Sequence, residues 1–240
     1  MKDDTTRKST VAEIRDRFDQ DVERFSNLQT GQTATVDAPV ALEMIAKAAA
    51  ATTPDATRLL DIGCGAGNFS LRAIAEGNYR SVTLVDLSSK MLERARLRLG
   101  DDGLEVEAIQ GDIRQVALPT ESFDVVLAGA VLHHLRGEQE WRDTFQKIHS
   151  VIAPGGSFWI FDLVVSPIPA IAALQEMRYG DYLTSLNGPE YRDSVLRYIE
   201  KEDSPRPIMF QLELLKEVGF ADVDVLHFNT RFAAFGAVRA

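Results

Sequence analysis

At 240 residues, with 45% hydrophobic and 26% charged residues, the chain is long enough to bury one sizeable core and carries no apolar run of bilayer-spanning length. Its 36 acidic against 26 basic residues, a net charge of −10, exclude unspecific attraction to nucleic acid, which depends on lysine and arginine. The single cysteine, Cys64, excludes an internal disulfide, no Cys/His cluster has metal-ligand spacing, and the polar N-terminus has no apolar stretch behind it, so a cytoplasmic protein without a metal is expected.

The first nine residues read as a frayed tail. Thr10 and Glu13 form a capping box, and Val11, Ile14, Phe18, Val22 and Phe25 follow at helical spacing, which predicts one helix from about 11 to 25. After the Gly31-Gln-Thr connection a second helix is predicted from Pro39 to about Ala50. These two either cover a ligand site or pack on the flank of a sheet. From Arg58 strands and helices alternate: a strand at Leu59–Ile62, a helix at Asn68–Glu76, a strand at Val82–Asp86, and a helix that Ser88 can cap. Its Arg94, Arg96 and Arg98 read as a solvated face. Strands follow at Leu104–Gln110 and Phe123–Gly129, then a helix carrying Trp141, Phe145, Ile148 and Ile152, ended by Ala153-Pro-Gly-Gly156. Ser157–Val165 is a fifth strand.

Such alternation predicts an α/β fold with a doubly wound, mostly parallel sheet covered on both faces. Residues 166–206, bounded by prolines, read as an irregular helical insertion. A helix ended by Gly219 follows, and Val223–Phe228 with Phe232–Val238 read as a terminal antiparallel hairpin. No linker divides the chain, so one domain is expected: an N-terminal helical cap (1–57), a ligand-binding core (58–165), the insertion (166–206), and the last helix and hairpin (207–240).

The chemistry concentrates in Asp61-Ile-Gly-Cys-Gly-Ala-Gly67. Glycines at 63, 65 and 67, between a strand and a helix, permit positive φ and a close approach of backbone to a nucleotide-type ligand at the helix N-terminus. The dinucleotide pattern Gly-x-Gly-x-x-Gly would need glycine at position 68, where Asn68 stands. That weakens the case for NAD without removing it.

This stretch resembles motif I of the class I S-adenosylmethionine-dependent methyltransferases. Asp86 at the end of the second strand, Gly111-Asp112-Ile113, the Phe123–Ala128 strand, Pro154-Gly-Gly156 and the terminal hairpin fit the same family. The resemblance implies a seven-stranded Rossmann-like sheet, S-adenosyl-L-methionine as methyl donor and S-adenosyl-L-homocysteine as product. It also implies roles for particular residues. Gly63, Cys64, Gly65 and Gly67 would lie against the methionine part, with Asp61 orienting the turn or the cofactor's amino group, directly or through water. Asp86 would accept from both ribose hydroxyls and Asp112 from the adenine amino group. Leu87, Met91 and Ile113 would wall the ring, and Ala128 would leave room for the methyl group.

Methyl transfer needs alignment more than covalent help, and a base only for a protonated acceptor. His133 and His134 follow the fourth strand as candidates; the competing reading is a histidine pair without chemistry. Acceptor recognition is expected from the N-terminal helices and the insertion, with Arg15, Arg24, Tyr191, Arg192 and Arg197 as candidates for a small-molecule substrate. The helical additions would serve as a lid or as the interface of a homodimer. A more distant similarity, to the carboxy-S-adenosylmethionine synthases, rests on Asp112-Ile-Arg114, Met91-Leu-Glu-Arg94 and the region from Gly219-Phe220 to the hairpin; Gly65 and Ala128 depart from that family. A cofactor-binding protein without catalysis remains a further alternative.

Overall fold

Apolar runs that end in an acid or a glycine become the strands of a single sheet. A computed structural model describes residues 8–27, 33–100 and 103–240. Its strands are β1 (Arg58–Ile62), β2 (Ser81–Asp86), β3 (Glu105–Gln110), β4 (Phe123–Gly129), β5 (Ile152–Leu163), β6 (Asp222–Asn229) and β7 (Phe232–Val238). They lie in the order β3-β2-β1-β4-β5-β7-β6. The first five pair in parallel, and β7 runs antiparallel between β5 and β6. The α/β architecture read from the sequence is therefore present, terminal hairpin included. The order reverses beside β1, and open sheets of this kind place ligands beyond the strand ends at that point.

The helices are α1 (Val11–Gln20), α2 (Val22–Ser26), α3 (Ala38–Thr52), α4 (Asn68–Glu76), α5 (Ser89–Leu99), α6 (Glu138–Val151), α7 (Pro169–Glu202) and α8 (Ile208–Glu217). On one face of the sheet Leu42 and Ile45 of α3, Phe69 and Ala73 of α4 and Leu92 of α5 form a core that Tyr179 and Leu183 of α7 complete. On the other, Trp141, Phe145 and Ile148 of α6 meet Leu214 and Leu215 of α8. Each fully buried large side chain stabilises the fold by about 1.5–3 kcal/mol. No helix among the described residues is long and apolar enough to cross a membrane.

Several boundaries differ from the sequence reading. The expected single N-terminal helix breaks at Asp21, whose φ of −105° and ψ of 12° leave the helical range, so α2 turns away from α1. The Thr10–Glu13 capping box is present in full. Of the expected tail, residues 1–7 lie outside the described residues, but Ser9 is buried and donates its hydroxyl to Glu202 Oε1 at 2.7 Å. The Gly31-Gln-Thr connection also falls largely outside them. Pro154-Gly-Gly156 lies inside the span of β5 rather than before it. The register against β4 slips between Phe123 and Val125, and Gly155 takes up the irregularity with φ +76°. The insertion is one long helix, interrupted only where Asn187 and Gly188 leave helical geometry.

Candidate active site

The turn after β1 is built from hydrogen bonds that only a particular backbone path allows. The amide of Gly63 donates to Val85 O at 2.7 Å, and that of Gly65 donates to Asp86 Oδ2 at 2.9 Å. Gly63 has φ +63°, and a Cβ there would stand 2.4 Å from Val131 Cγ2. Gly65 has φ +50°, but a Cβ there would meet nothing within 4 Å. The first glycine is therefore required by packing and the second keeps open a space beside the turn.

Asp86 closes that space from β2. Its Oδ1 accepts from the amide of Ser88 at 2.8 Å, and its buried side chain faces two neighbouring cavities. Burial raises its pKa to about 6, against the lowering by the amides of Ser88 and Gly65. The first cavity, of about 130 Å³, is bounded by Cys64, Gly65, Leu87 and Met91, and by Ile14, Phe18 and Phe25 from α1 and α2. The second, of about 260 Å³, continues past Gly111, Asp112, Ile113 and Arg114. The two share Ile14, Gly63, Asp86, Leu87, Val131 and His134 and form one trough.

The second expected helix, α3, packs on the sheet face through Leu42 and Ile45, whereas the first, as α1 and α2, covers the site. Three contacts hold them there: Ser88 donates its hydroxyl to Asp19, Arg94 pairs with Glu23, and Asn68 donates its amide to Phe25 O at 3.0 Å. Asn68, the residue that broke the dinucleotide pattern, also accepts from Arg98 at 2.7 Å.

Of the cofactor residues expected from the resemblance, Gly63, Cys64, Gly65, Asp86, Leu87, Met91, Asp112 and Ile113 line the trough. Asp112 does so while its carboxylate accepts from Arg114 Nε, 3.0 Å from each oxygen. Burial opposes its ionisation, but the bonds from Arg114 outweigh that and hold its pKa below the usual carboxylate range. Three of the expected residues lie off the trough. Asp61 is sealed beneath the turn, accepting from the Ser70 hydroxyl, and burial raises its pKa to about 7. Gly67 leads into α4 and packs toward Ala95. Ala128 points into the α6-side core with Leu60 and Ile62, because side chains alternate along β4 and its own falls on that face; Gly129 and Ala130 line the trough instead.

A third cavity, of about 460 Å³, adjoins the trough and is walled by the rings of Phe18, Phe25, Tyr179, Tyr191, Tyr198 and Phe232. Tyr191 and Arg24 line it as expected. Arg192 and Arg197 do not: Arg192 pairs with Asp193 at 2.8 Å and Arg197 is exposed, because both lie off the helix face that carries Tyr191. Arg15 is likewise exposed and paired with Asp16.

His134 lines all three cavities, and His133 lines the third. Their environments are opposite. The His133 amide donates to Asp162 Oδ2 at 3.0 Å and its Nδ1 bonds Asp162 Oδ1. Burial disfavours its charged form, but Asp162 and Asp203 outweigh that and raise its pKa to about 9. Burial first, and then the charge of His133, hold His134 well below the usual histidine range. Sequence reasoning missed Asp162 and Asp203. A lone acid within the apolar run Phe158-Trp-Ile-Phe-Asp-Leu163 was a readable signal, since a buried carboxylate needs a partner; Asp203, at the end of α7, offered none.

Fold and turn together place a buried trough at the open end of a Rossmann-like sheet. Residues 59–156 match the family model described as a methyltransferase domain. The chain is 35% identical over 115 residues to the 27-O-demethylrifamycin SV methyltransferase of Amycolatopsis mediterranei, covering 47% of this chain and 41% of that one. It is 29% identical over 172 residues to the demethylmenaquinone methyltransferase of Listeria monocytogenes, covering 70% and 71%. Human N-acetylserotonin methyltransferase, solved in complex with S-adenosylmethionine, shares the fold with a TM-score of 0.61 at 16% identity, covering 98% of this chain and 63% of that one. The chain spans about half the length of several curated relatives that it matches. Over residues 59–156 the chain is similar to the methyltransferase domain family, and its fold is that of solved methyltransferases.

Proposed function

We propose that the protein, acting as one domain across its length, transfers a methyl group from S-adenosylmethionine to a small, largely apolar acceptor held in the aromatic cavity. The observation that carries this reading is the trough in which Gly65 keeps space open beside a buried Asp86, with His134 joining it to a separate ring-lined cavity. The donor fits the residues present. Asp86 has two carboxylate oxygens for ribose hydroxyls, and Asp112, Ile113, Leu87 and Met91 offer an acceptor and apolar walls for an adenine. When bound, S-adenosylmethionine supplies an electrophilic methyl group on a good leaving group.

The protein's part is alignment and exclusion of water. Ile14, Phe18 and Phe25 roof the trough, and Tyr191 and Tyr198 hold the acceptor's apolar body. We place His133 and His134 at the acceptor's reacting end, where an acceptor entering from the ring-lined side meets the donor trough. The lone cysteine, free of any disulfide, supports a cytoplasmic setting.

Isothermal titration with S-adenosylhomocysteine tests the reading. Binding at micromolar affinity is expected, weakened more than about tenfold, or about 1.4 kcal/mol, by Asp86→Ala. No binding at millimolar ligand removes the proposal, and an unchanged affinity in Asp86→Ala removes the ribose contact.

A further inference from the structure

Three ligand atoms meet at the edge of the aromatic cavity where His134 joins it to the trough. His133 Nδ1 is engaged with the Asp162 carboxylate. Asp162 accepts there, so the hydrogen-bond network assigns one proton to Nδ1, and a metal would bind Nε2 by displacing the second proton of the charged ring. That Nε2 lies 3.6 Å from Asp203 Oδ1, and His134 Nδ1 lies 3.4 Å from the same oxygen. Both His134 Nδ1 and Asp203 Oδ1 are buried without a hydrogen-bond partner. Leaving a buried polar atom unpaired costs about 1–3 kcal/mol, so two of them 3.4 Å apart favour a shared ligand.

The separations fit a metal better than hydrogen bonds. One ligand atom from each of the three residues lies within 4.8 Å of the others. Donors about 2.0–2.2 Å from a tetrahedral ion stand roughly 3.3–3.6 Å apart, whereas a hydrogen bond wants about 2.9 Å. Asp162 behind His133 supplies the outer carboxylate that commonly orients a metal-bound imidazole. Two nearby guanidiniums oppose a cation, and each is partly neutralised or bonded elsewhere, although Arg17 Nη2 has no hydrogen-bond partner. Arg17 pairs with Glu202 at 2.8 Å, and Arg136 donates to Glu202 O, Ser9 O and Ser204 Oγ.

We propose that His133, His134 and Asp203 bind a divalent transition metal, zinc foremost, with its remaining position open to the aromatic cavity. Two imidazoles and one carboxylate suit zinc, iron(II) or cobalt(II); magnesium and calcium prefer all-oxygen sites. Motif spacing excluded a metal because the third ligand arrives from the far end of α7. On the methyl-transfer reading, the ion's task is to take the acceptor's hydroxyl oxygen as a ligand, its proton passing to solvent, so that the nucleophile is an oxyanion. The metal site itself stands apart from that reading.

Tag-free protein stripped with a chelator would be titrated with zinc by calorimetry and with cobalt(II) by visible absorption. One equivalent of zinc at about 1 μM or tighter, and d–d bands of a low-symmetry cobalt site, are expected. Asp203→Asn should abolish the cobalt bands and weaken zinc more than about 100-fold, while Asp162→Asn should weaken zinc about 10–100-fold. S-adenosylhomocysteine affinity in Asp203→Asn should stay within threefold of the unsubstituted protein, which shows that the fold is intact. No stoichiometric binding by the unsubstituted protein, or undiminished binding by Asp203→Asn, overturns the site. Should Asp203→Asn fail to fold, undiminished binding by Asp162→Asn overturns it. Zinc binding without S-adenosylhomocysteine binding would keep the site and sink the methyl-transfer reading.

Discussion

Replacing Gly65 by alanine separates the space a ligand needs from the space the fold needs. At φ +50° a side chain at this position costs about 1–2 kcal/mol of backbone strain, but its Cβ meets no protein atom within 4 Å. In a chain of this length 1 kcal/mol shifts the melting temperature by about 2–4 °C, so Gly65→Ala should lower it by about 2–8 °C. Gly63→Ala carries the same strain and places a Cβ 2.4 Å from Val131 Cγ2. Overpacking adds about 1–3 kcal/mol, so its loss should be clearly larger. Binding should be affected most by the milder variant relative to its stability cost, because the methyl group that Gly65→Ala adds enters the trough beside Asp86. Differential scanning calorimetry and titration with S-adenosylhomocysteine measure both. Gly65→Ala is expected to weaken binding more than about tenfold while remaining folded. If it binds like the unsubstituted protein, the trough beside Gly65 is not where the ligand lies.

Affinity for S-adenosylhomocysteine should also depend on pH through Asp86. Its pKa is about 6 without ligand, and hydroxyl donors need the carboxylate, so the association constant should rise about tenfold per unit below pH 6 and level off above it; a flat profile from pH 5 to 8 would contradict the assignment. Asp61 gives a stability signal of opposite sense. Its folded pKa of about 7 lies above the unfolded value, so the folded state holds the extra proton, and stability is fully present below pH 4 and falls as pH rises to about 7. The loss is of order several kcal/mol at most. Denaturant titration of Asp61→Asn should show that slope flattened, and an unaltered slope would refute it. Asn68→Ala removes two bonds of about 0.5–1.5 kcal/mol each, and hydrogen exchange over residues 11–26 should quicken; unchanged exchange would mean that Asn68 does not hold the roof. With a turned-over acceptor in hand, Tyr191→Ala should raise its KM severalfold and Arg192→Ala should not, and the reverse order would restore the arginine reading.

The donor half was legible because its chemistry sits where the pattern changes. Strands β1, β2 and β4 announce themselves as apolar runs, and the groups facing the trough lie at or just beyond their ends, where Gly65, Asp86 and Leu87 must stand. The misses have physical reasons. Asp61 and Ala128 are still inside their strands and so face the core, not the ligand. Arg192 and Arg197 were chosen for their charge, although Tyr191, Val195 and Tyr198 follow at i, i+4 and i+7 and mark the face of α7 that lines the cavity. The break of the first helix at Asp21 left no signal, because Asp21 satisfies the same polar face in a helix as in a turn.

The two halves of the site are also anchored differently, which bears on how the acceptor is chosen. The methyltransferase match ends at Gly156 and contains the turn, Asp86 and Asp112 but neither the N-terminal roof nor α7. Tyr179 and Leu183 are buried in the sheet-covering core, Tyr179 also walling the cavity, whereas Tyr191 and Tyr198, beyond the break at Gly188, line the cavity and are only partly buried against that core. Substitutions beyond that break can reshape the acceptor cavity without moving the residues that anchor the helix or those that line the donor trough. Phe18 and Phe25 also line both the donor trough and the acceptor cavity, and His134 lines all three cavities. A change at His134 should alter donor and acceptor binding together, whereas a change at Tyr198 should alter acceptor binding alone. Titrating both variants with S-adenosylhomocysteine tests the division, and a weakened donor affinity in Tyr198→Ala would show that the cavities are not separable.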